Sequence, residues 1–309
     1  MRLLLIVNSS ASSVTARGRV VITKALSADH DVTVAETTRR GHATRLAQGA
    51  AADGVDVVVV LGGDGTLNEA ANGLAGSDTA LAPLPGGSTN VFARTLGLPD
   101  DPIEATGVLL DALAHDSVRR VGLGAVNGRY FLFHVGIGFD AAVVAQVERR
   151  GSWKRWANHV LFGWAALDTW VRHYDRHRPH FSVRVPGRAT VDDALFTVCL
   201  NTDPYTFVGA RPFTLAPEAT LDRGLAVVTL RTLDAVPLVG VLLSALGSGN
   251  RLRRNRHVDH LVDVTEVRID AYEPRPGPVP YQVDGDYLGD LDQLEITHEP
   301  DVLRLVIPR

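Results

Sequence analysis

Short stretches of the chain carry residues whose type and spacing could do chemistry. The first, GGDGT, sets Gly62, Gly63 and Gly65 around Asp64, directly after the run VDVVVVL and directly before LNEAANGL. Glycine admits a positive φ and lets an anion reach the backbone without a Cβ in the way. A helix opening there presents unpaired N–H groups and about half a unit of positive charge, which attracts phosphate. The loop is therefore shaped for a polyphosphate. Asp64 would repel one, so its charge must be neutralised by Mg²⁺ or by hydrogen bonds from neighbouring N–H groups. The second stretch, PLPGGSTN (Pro83 to Asn90), repeats the arrangement and adds Ser88, Thr89 and Asn90 as donors beside Gly87. A lone glycine-rich turn is as well explained by the turn itself. Two of them favour a nucleotide, and because the GxxxxGK[ST] and GxGxxG patterns are both absent, its phosphates would be held in another way.

The third stretch, YQVDGDYLG, sets Asp284 and Asp286 on either side of Gly285. From the residues alone, DG marks a type I′ hairpin turn with solvated carboxylates more readily than a catalytic pair. Asp140 follows two glycines in GIGFDAAVV, a place where an aspartate more often caps a helix. His173, His177 and His180 have ligand-like spacing, but Pro179 interrupts the helix they would need, which favours solvated surface. Cys199, the one cysteine, has nothing to pair with and reads as a buried, inert thiol.

The elements that must position these residues divide the chain. Up to about Arg120, near-continuous Val/Leu/Ile runs (RLLLIVN, DVTVAET, DVVVVLGG, TALAPLP) alternate with helix-like segments. That pattern indicates a parallel sheet covered on both faces. From Val121 the texture changes to strands and turns, interrupted by two convincing helices around Trp153 to His173 and Leu238 to Leu246. The expected architecture is an α/β nucleotide-binding domain over 1–120, rejoined by 299–309, followed by a β-rich, sandwich-like domain over 121–298.

With 309 residues, 45 % of them apolar, the chain is long enough for two cores. A net charge of −4 argues against general nucleic-acid binding. The opening MRLLLIVNSS is too short in its apolar run for a secretory signal, so a cytoplasmic location is expected. No segment has the roughly 20 apolar residues of a spanning helix; AVPLVGVLLSALGSGN reads as a core or interfacial helix. All four tryptophans, Trp153, Trp156, Trp164 and Trp170, lie in one segment flanked by basic residues, a combination suited either to a bilayer interface or to packing on the second domain. A second basic run, RLRRNRH (Arg251 to His257), follows the apolar helix and suits anionic headgroups or solvent.

The combination GGDGTLNEAANGL, PLPGGSTNVFARTLGLP, HVGIGFDAAVV and VDGDYLG resembles the diacylglycerol kinase catalytic-domain family, which includes bacterial lipid kinases and the sphingosine and ceramide kinases. The resemblance runs in order through nearly the whole chain. It implies an NAD kinase/diacylglycerol kinase-like fold and an ATP-dependent, Mg²⁺-requiring kinase of lipid metabolism. Such an enzyme transfers the γ-phosphate to the hydroxyl of diacylglycerol or a related lipid, working peripherally at the inner face of the membrane; a homodimer is admitted. It implies nucleotide contacts at Asn8, Thr37, Gly62, Gly63, Asp64, Gly65, Thr66, Asn68, Gly87, Ser88, Thr89 and Asn90. The family's DGE becomes DGD here, so Asp286 takes the place of the general base, with Asp284 beside it. Asp140 matches a residue that touches the acceptor's polar head in sphingosine kinases. The family's DDG metal motif reads LDRG, so Arg223 stands where an aspartate is usual and Asp222 is left as the metal candidate. NSSAS after the first strand departs from the usual NPxSG. Two other readings remain: a small-molecule kinase like NAD kinase, whose TPTGSTAY-like segment is not found, and a nucleotide- or lipid-binding relative without turnover.

Overall fold

The computed structural model describes residues 1–149, 159–272 and 277–308. The chain forms two compact units, Met1–Leu123 with Pro300–Arg309, and Gly124–Glu299.

In the first unit, β1 (Arg2–Val7), α1 (Ala16–Leu26), β2 (Asp31–Glu36), α2 (His42–Ala52), β3 (Val57–Gly62), α3 (Asp64–Leu74), β4 (Ala80–Pro85), α4 (Val91–Thr95) and α5 (Pro102–Ala114) follow in order. β1 pairs in parallel with both β2 and β3, and β3 with β4. Every residue of β3 and β4 is buried, as a parallel sheet sheathed by helices requires. The alternate side chains Leu3, Leu5 and Val7 of β1 and Val57, Val59 and Leu61 of β3 share one core with α1 and α5.

The second unit takes in the end of β5 (Val118–Val126), then β6 (Arg129–Phe131), β7 (His134–Gly138), α6 (Phe139–Arg149), α7 (His159–Asp168) and a π-helical turn, Thr169–His173. Strands β8 (Phe181–Arg184), β9 (Val191–Ala194), β10 (Phe196–Leu200), β11 (Thr206–Val208), β12 (Arg211–Phe213) and β13 (Leu225–Leu230) come next. After them come α8 (Ala235–Ala245), a 3₁₀ turn (Leu252–Arg254), β14 (Val258–Val264), β15 (Glu266–Ala271), β16 (Val279–Val283), β17 (Asp286–Leu291) and β18 (Gln293–Val306). A six-stranded antiparallel sheet runs β14-β13-β10-β7-β16-β17. Its partner sheet in this unit runs β9-β8-β15-β18, also antiparallel. Val135, Cys199 and Val227 from the first and Val183, Ile269 and Ile296 from the second meet in one core, which makes the pair a sandwich. Because strand side chains alternate, Val198, Leu200 and Val228 point the other way, into a second core with Val241 and Ala245 of α8.

The expected α/β unit and the β-rich unit are both present. α6 adds a helix to the two expected in the second half; its apolar residues Val143 and Val147 pack with Ala165 of α7. α8 begins earlier than Leu238, because Pro237 is tolerated in the first turn, where its missing N–H costs nothing. The final strand leaves β15 at one end and reaches β4 at the other, where Leu305 is parallel to Leu81.

Candidate active site

In the α/β unit, the two glycine loops lie at the carboxyl ends of β3 and β4. They touch backbone to backbone: a Cβ on Gly86 would come within 2.8 Å of Gly62 N, and one on Gly87 within 2.8 Å of Gly63 Cα. Only glycine permits this approach, and Gly86 N donates to Gly62 O at 2.9 Å across it. The segment after β1 closes the third side, with Ser13 N donating to Gly86 O and Ser13 Oγ to Gly87 O. Asn8 Nδ2 donates to Thr66 Oγ1 at 2.9 Å, and its Oδ1 accepts from Ser10 N. The NSSAS segment thus holds its place through Asn8 and Ser13, although its sequence differs from the usual pattern.

Of the two routes expected for Asp64, the hydrogen bonds from neighbouring N–H groups are present. Its carboxylate accepts from Val91 N at 3.0 Å and Phe92 N at 3.1 Å, the first N–H groups of α4. The aspartate of the first loop therefore caps the helix that follows the second, and the start of α4 is not left open for an anion. Asn90 has a similar inward use: Oδ1 accepts from Gly87 N, while Nδ2 donates to Gly87 O and to Asp100. Its φ of 50° and 3 % exposure mark it as the clasp of the loop rather than a donor facing outward. Ser88 is exposed and Thr89 half-exposed. Asn68 is buried, with its backbone and side-chain oxygens taken by Asn72. The first turn of α3 starts at Gly63, whose O accepts from Thr66 N and Leu67 N, so the helix start lies directly against the second loop. Thr37 follows β2, its N–H bound to Val7 O. The same α3 carries Glu69, whose carboxylate accepts from Gly41 N and Ala43 N and so caps α2.

In the β-rich unit, Asp284 and Gly285 have φ of 48° and 82° and join β16 to β17, with Val283 opposite Asp286. Both central residues are left-handed, as a type I′ turn demands. The two aspartates flanking Gly285 part company here. Asp284 is buried, and its carboxylate accepts from Leu132 N (2.7 Å), Phe133 N (3.0 Å) and His134 N (3.1 Å). Asp286 is half-exposed on the other side of the turn.

Beneath the turn lies a polar network that the sequence did not disclose. Gly285 N donates to Gln282 Oε1 at 2.7 Å, and Gln282 Nε2 donates to Asp140 Oδ2 at 2.8 Å. The Tyr205 hydroxyl donates to the other oxygen of Asp140, and the Tyr205 ring stacks on His134 at 4.4 Å. Asp140 is 6 % exposed and lies in the first turn of α6, within the helix rather than at the cap position ahead of it, and its two carboxylate oxygens are engaged by Tyr205 and Gln282. Burial raises its pKa, against the hydrogen bonds from Tyr205 and Gln282, which lower it. Burial alone pulls His134 down to about 3, so its ring is neutral, and its Nδ1 has no partner among the described residues. A Cβ at position 136 would fall 1.6 Å from Asp140 Oδ2, which is why GIG must have glycine there. The one visible signal was Gln282 itself, a polar residue between Tyr281 and Val283, on the face of β16 opposite the sandwich core.

The LDRG segment does not fit a divalent cation. Asp222 and Arg223 are exposed neighbours, a guanidinium cannot ligate a metal, and among the described residues no three His, Cys, Asp or Glu side chains converge as a ligand set. His173 is exposed near Asp168, whereas His180 is buried and stacked on Tyr174 at 4.2 Å, contrary to the solvated surface expected for all three histidines. Cys199 is buried and its pKa is pushed up by that burial, in keeping with an inert thiol. Trp153 and Trp156 lie outside the described residues.

A model of the diacylglycerol kinase catalytic domain matches residues 2–126, and one of the YegS C-terminal NAD kinase beta sandwich-like domain matches residues 134–307. A Pseudomonas aeruginosa (strain UCBPP-PA14) protein named "Probable lipid kinase YegS-like" is 31 % identical over 75 % of this chain and 72 % of its own. The Bacillus subtilis (strain 168) "Diacylglycerol kinase" is 39 % identical over 115 residues, which span 36 % of this chain and 37 % of that one. A crystal structure titled as a diacylglycerol kinase from Bacillus anthracis superposes with a TM-score of 0.73 over 99 % of this chain and 96 % of that one, at 22 % identity.

Proposed function

Since the chain belongs to the family of diacylglycerol kinases and YegS-like lipid kinases, we propose that it transfers the γ-phosphate of ATP to a lipid hydroxyl, of diacylglycerol or a related lipid. The observation that carries this reading is the contact of the two glycine loops at Gly62–Gly63 and Gly86–Gly87, a backbone surface with no Cβ in the way of an anion. The N–H groups at the start of α3, with Thr66, Ser88 and Thr89, hold the phosphates; Asn8 fixes Thr66, and Asn90 and Asp64 hold the loops in shape. The chemistry that Mg²⁺ would supply, bound together with the nucleotide, is neutralisation of phosphate charge.

In the transfer, the lipid hydroxyl oxygen forms a bond to the γ-phosphorus, the bond from that phosphorus to the bridging oxygen breaks, and ADP leaves with the electron pair. The hydroxyl proton passes to the Asp286 carboxylate. Asp284 is a positioning residue: it anchors the turn to the backbone at Leu132–His134 and thereby aims Asp286. Asp140 and Gln282 brace the same turn from beneath.

The test is incubation with γ-labelled ATP, Mg²⁺ and mixed lipid micelles, with NAD in a parallel tube, followed by chloroform extraction. Label in the organic phase is the expected result. Label on NAD alone, or label on neither, would overturn the proposal.

A further inference from the structure

Helix α8, AVPLVGVLLSA, has no charged residue, and a helix apolar on every side is normally buried on every side. Here only one side is, through Val241, Ser244 and Ala245. Val236 is 84 % exposed, Leu243 68 % and Val239 53 %, and Leu242 and Leu246 are exposed with them. At about 100° per residue these five positions fall within an arc of roughly 120°, opposite the buried one. A second exposed stripe, Trp164, Leu167 and Val171, follows i, i+3, i+7 spacing along α7 and the π-helical turn. The two helices are tied together where Trp170 Nε1 donates to Leu233 O at 2.7 Å, just before α8 begins.

The charges around α8 indicate what covers it. Beyond its C-terminal end Arg251, Arg254 and Arg256 are exposed, while Arg253 is held by Glu218 at 2.6 Å. Arg251 and Arg254 make no ion pair among the described residues. The acidic group at the opposite end is Asp234, the residue preceding α8. An apolar arc ending in uncommitted guanidinium groups complements a surface that is apolar inside and anionic outside.

We propose that the outward face of α8 rests in the interfacial layer of an anionic membrane, with Arg251 and Arg254 against the head groups. The proposal rests on the lipid-kinase reading, because it supplies the surface on which that kinase would meet its acceptor. Among the described residues no helix is long and apolar enough to cross a membrane, so this face would lie on the bilayer rather than span it.

The full chain, without nucleotide or acceptor, is to be sedimented with vesicles of phosphatidylcholine alone or mixed with phosphatidylglycerol. The wild type is expected to pellet with the anionic vesicles. Val236→Ser with Leu243→Ser should weaken that partition at least about tenfold, and Arg251→Glu with Arg254→Glu by about fivefold per position at low salt. Val236→Ser with Leu243→Ser sedimenting like the wild type would overturn the proposal, as would a wild type that binds neither vesicle. A dimer in light scattering that this pair of substitutions converts to monomer, with no vesicle binding, would overturn it in favour of a second copy as the occupant. Phosphate transfer to a short-chain, monomerically dissolved diacylglycerol, run in parallel, should be equal in wild type and variants. Vesicle binding with no transfer to this diacylglycerol or to the mixed lipid micelles would sink the kinase reading alone, and transfer without vesicle binding the docking face alone.

Discussion

Asp284 and Asp286 are separated only by Gly285, yet one is buried and the other half-exposed. Asp284 accepts three backbone N–H bonds in a buried setting, so replacing it strands those donors. Asp284→Ala is expected to destabilise the protein by about 2–4 kcal/mol in urea unfolding. Asp286→Asn should leave stability within about 0.5 kcal/mol and lower kcat by about 10²–10⁴-fold. Wild-type turnover in Asp286→Asn would remove it from the role of proton acceptor. His134 offers a pH test. Its folded value is about 3 against 6.5 when exposed, so between those values the unfolded chain binds a proton that the folded chain refuses. Stability is therefore lost as pH falls from 6.5 towards 3, by at most about 1.4 kcal/mol per unit. The raised pKa of Asp140 acts in the opposite sense: its folded carboxyl keeps a proton at pH values where the unfolded one has released it, so stability falls as pH rises through that interval. His134→Phe, which keeps a ring against Tyr205, should flatten the acid limb of the stability curve; an unchanged limb would show that His134 is charged in the fold.

The loops and turns make sense only as elements held by other elements. The α4 start is capped by Asp64 from the preceding loop, α2 by Glu69 from α3, and the β16–β17 turn by Asp284, Gln282 and Asp140. Gly87→Ala would place a Cβ 2.8 Å from Gly63 Cα, backbone that cannot swing aside. We expect it to weaken ATP binding about tenfold or more with a smaller effect on stability, measured by nucleotide titration. Gln282→Leu should lower kcat while leaving the KM for ATP unchanged, because it removes the acceptor beneath Gly285 without touching the nucleotide loops; a change confined to the KM for ATP would refute that role. The glycine loops and the strand–helix alternation were legible in the sequence because each leaves a local signature: β-branched runs, then glycines, then a helix-forming segment. The support network was not, because it joins Asp140, Tyr205 and Gln282 across separations of 65 and 142 residues. Nothing local distinguishes Asp64 as a cap from Asp64 as a metal partner either; that depends on where Val91 falls after the second loop.

At the scale of the molecule, composition and texture were enough to foresee a parallel α/β unit and a β-rich one, because buried parallel strands are continuously apolar and sandwich strands alternate. They did not foresee which apolar surface would be left outside. AVPLVGVLLSA is equally consistent with a core helix and an interfacial one, and only the exposure of Val236, Val239 and Leu243 separates the two. In the proposed division of labour the α/β unit holds nucleotide, while the β-rich unit carries the proton acceptor and the membrane-facing helix. That division stands or falls on where the triphosphate binds. A crystal structure with a non-hydrolysable ATP analogue and Mg²⁺ measures it directly. The account predicts phosphate oxygens at roughly 2.7–3.2 Å from backbone N–H groups between Gly62 and Thr66 and from Ser88 or Thr89. Nucleotide bound at any place that leaves both glycine loops without phosphate would contradict it.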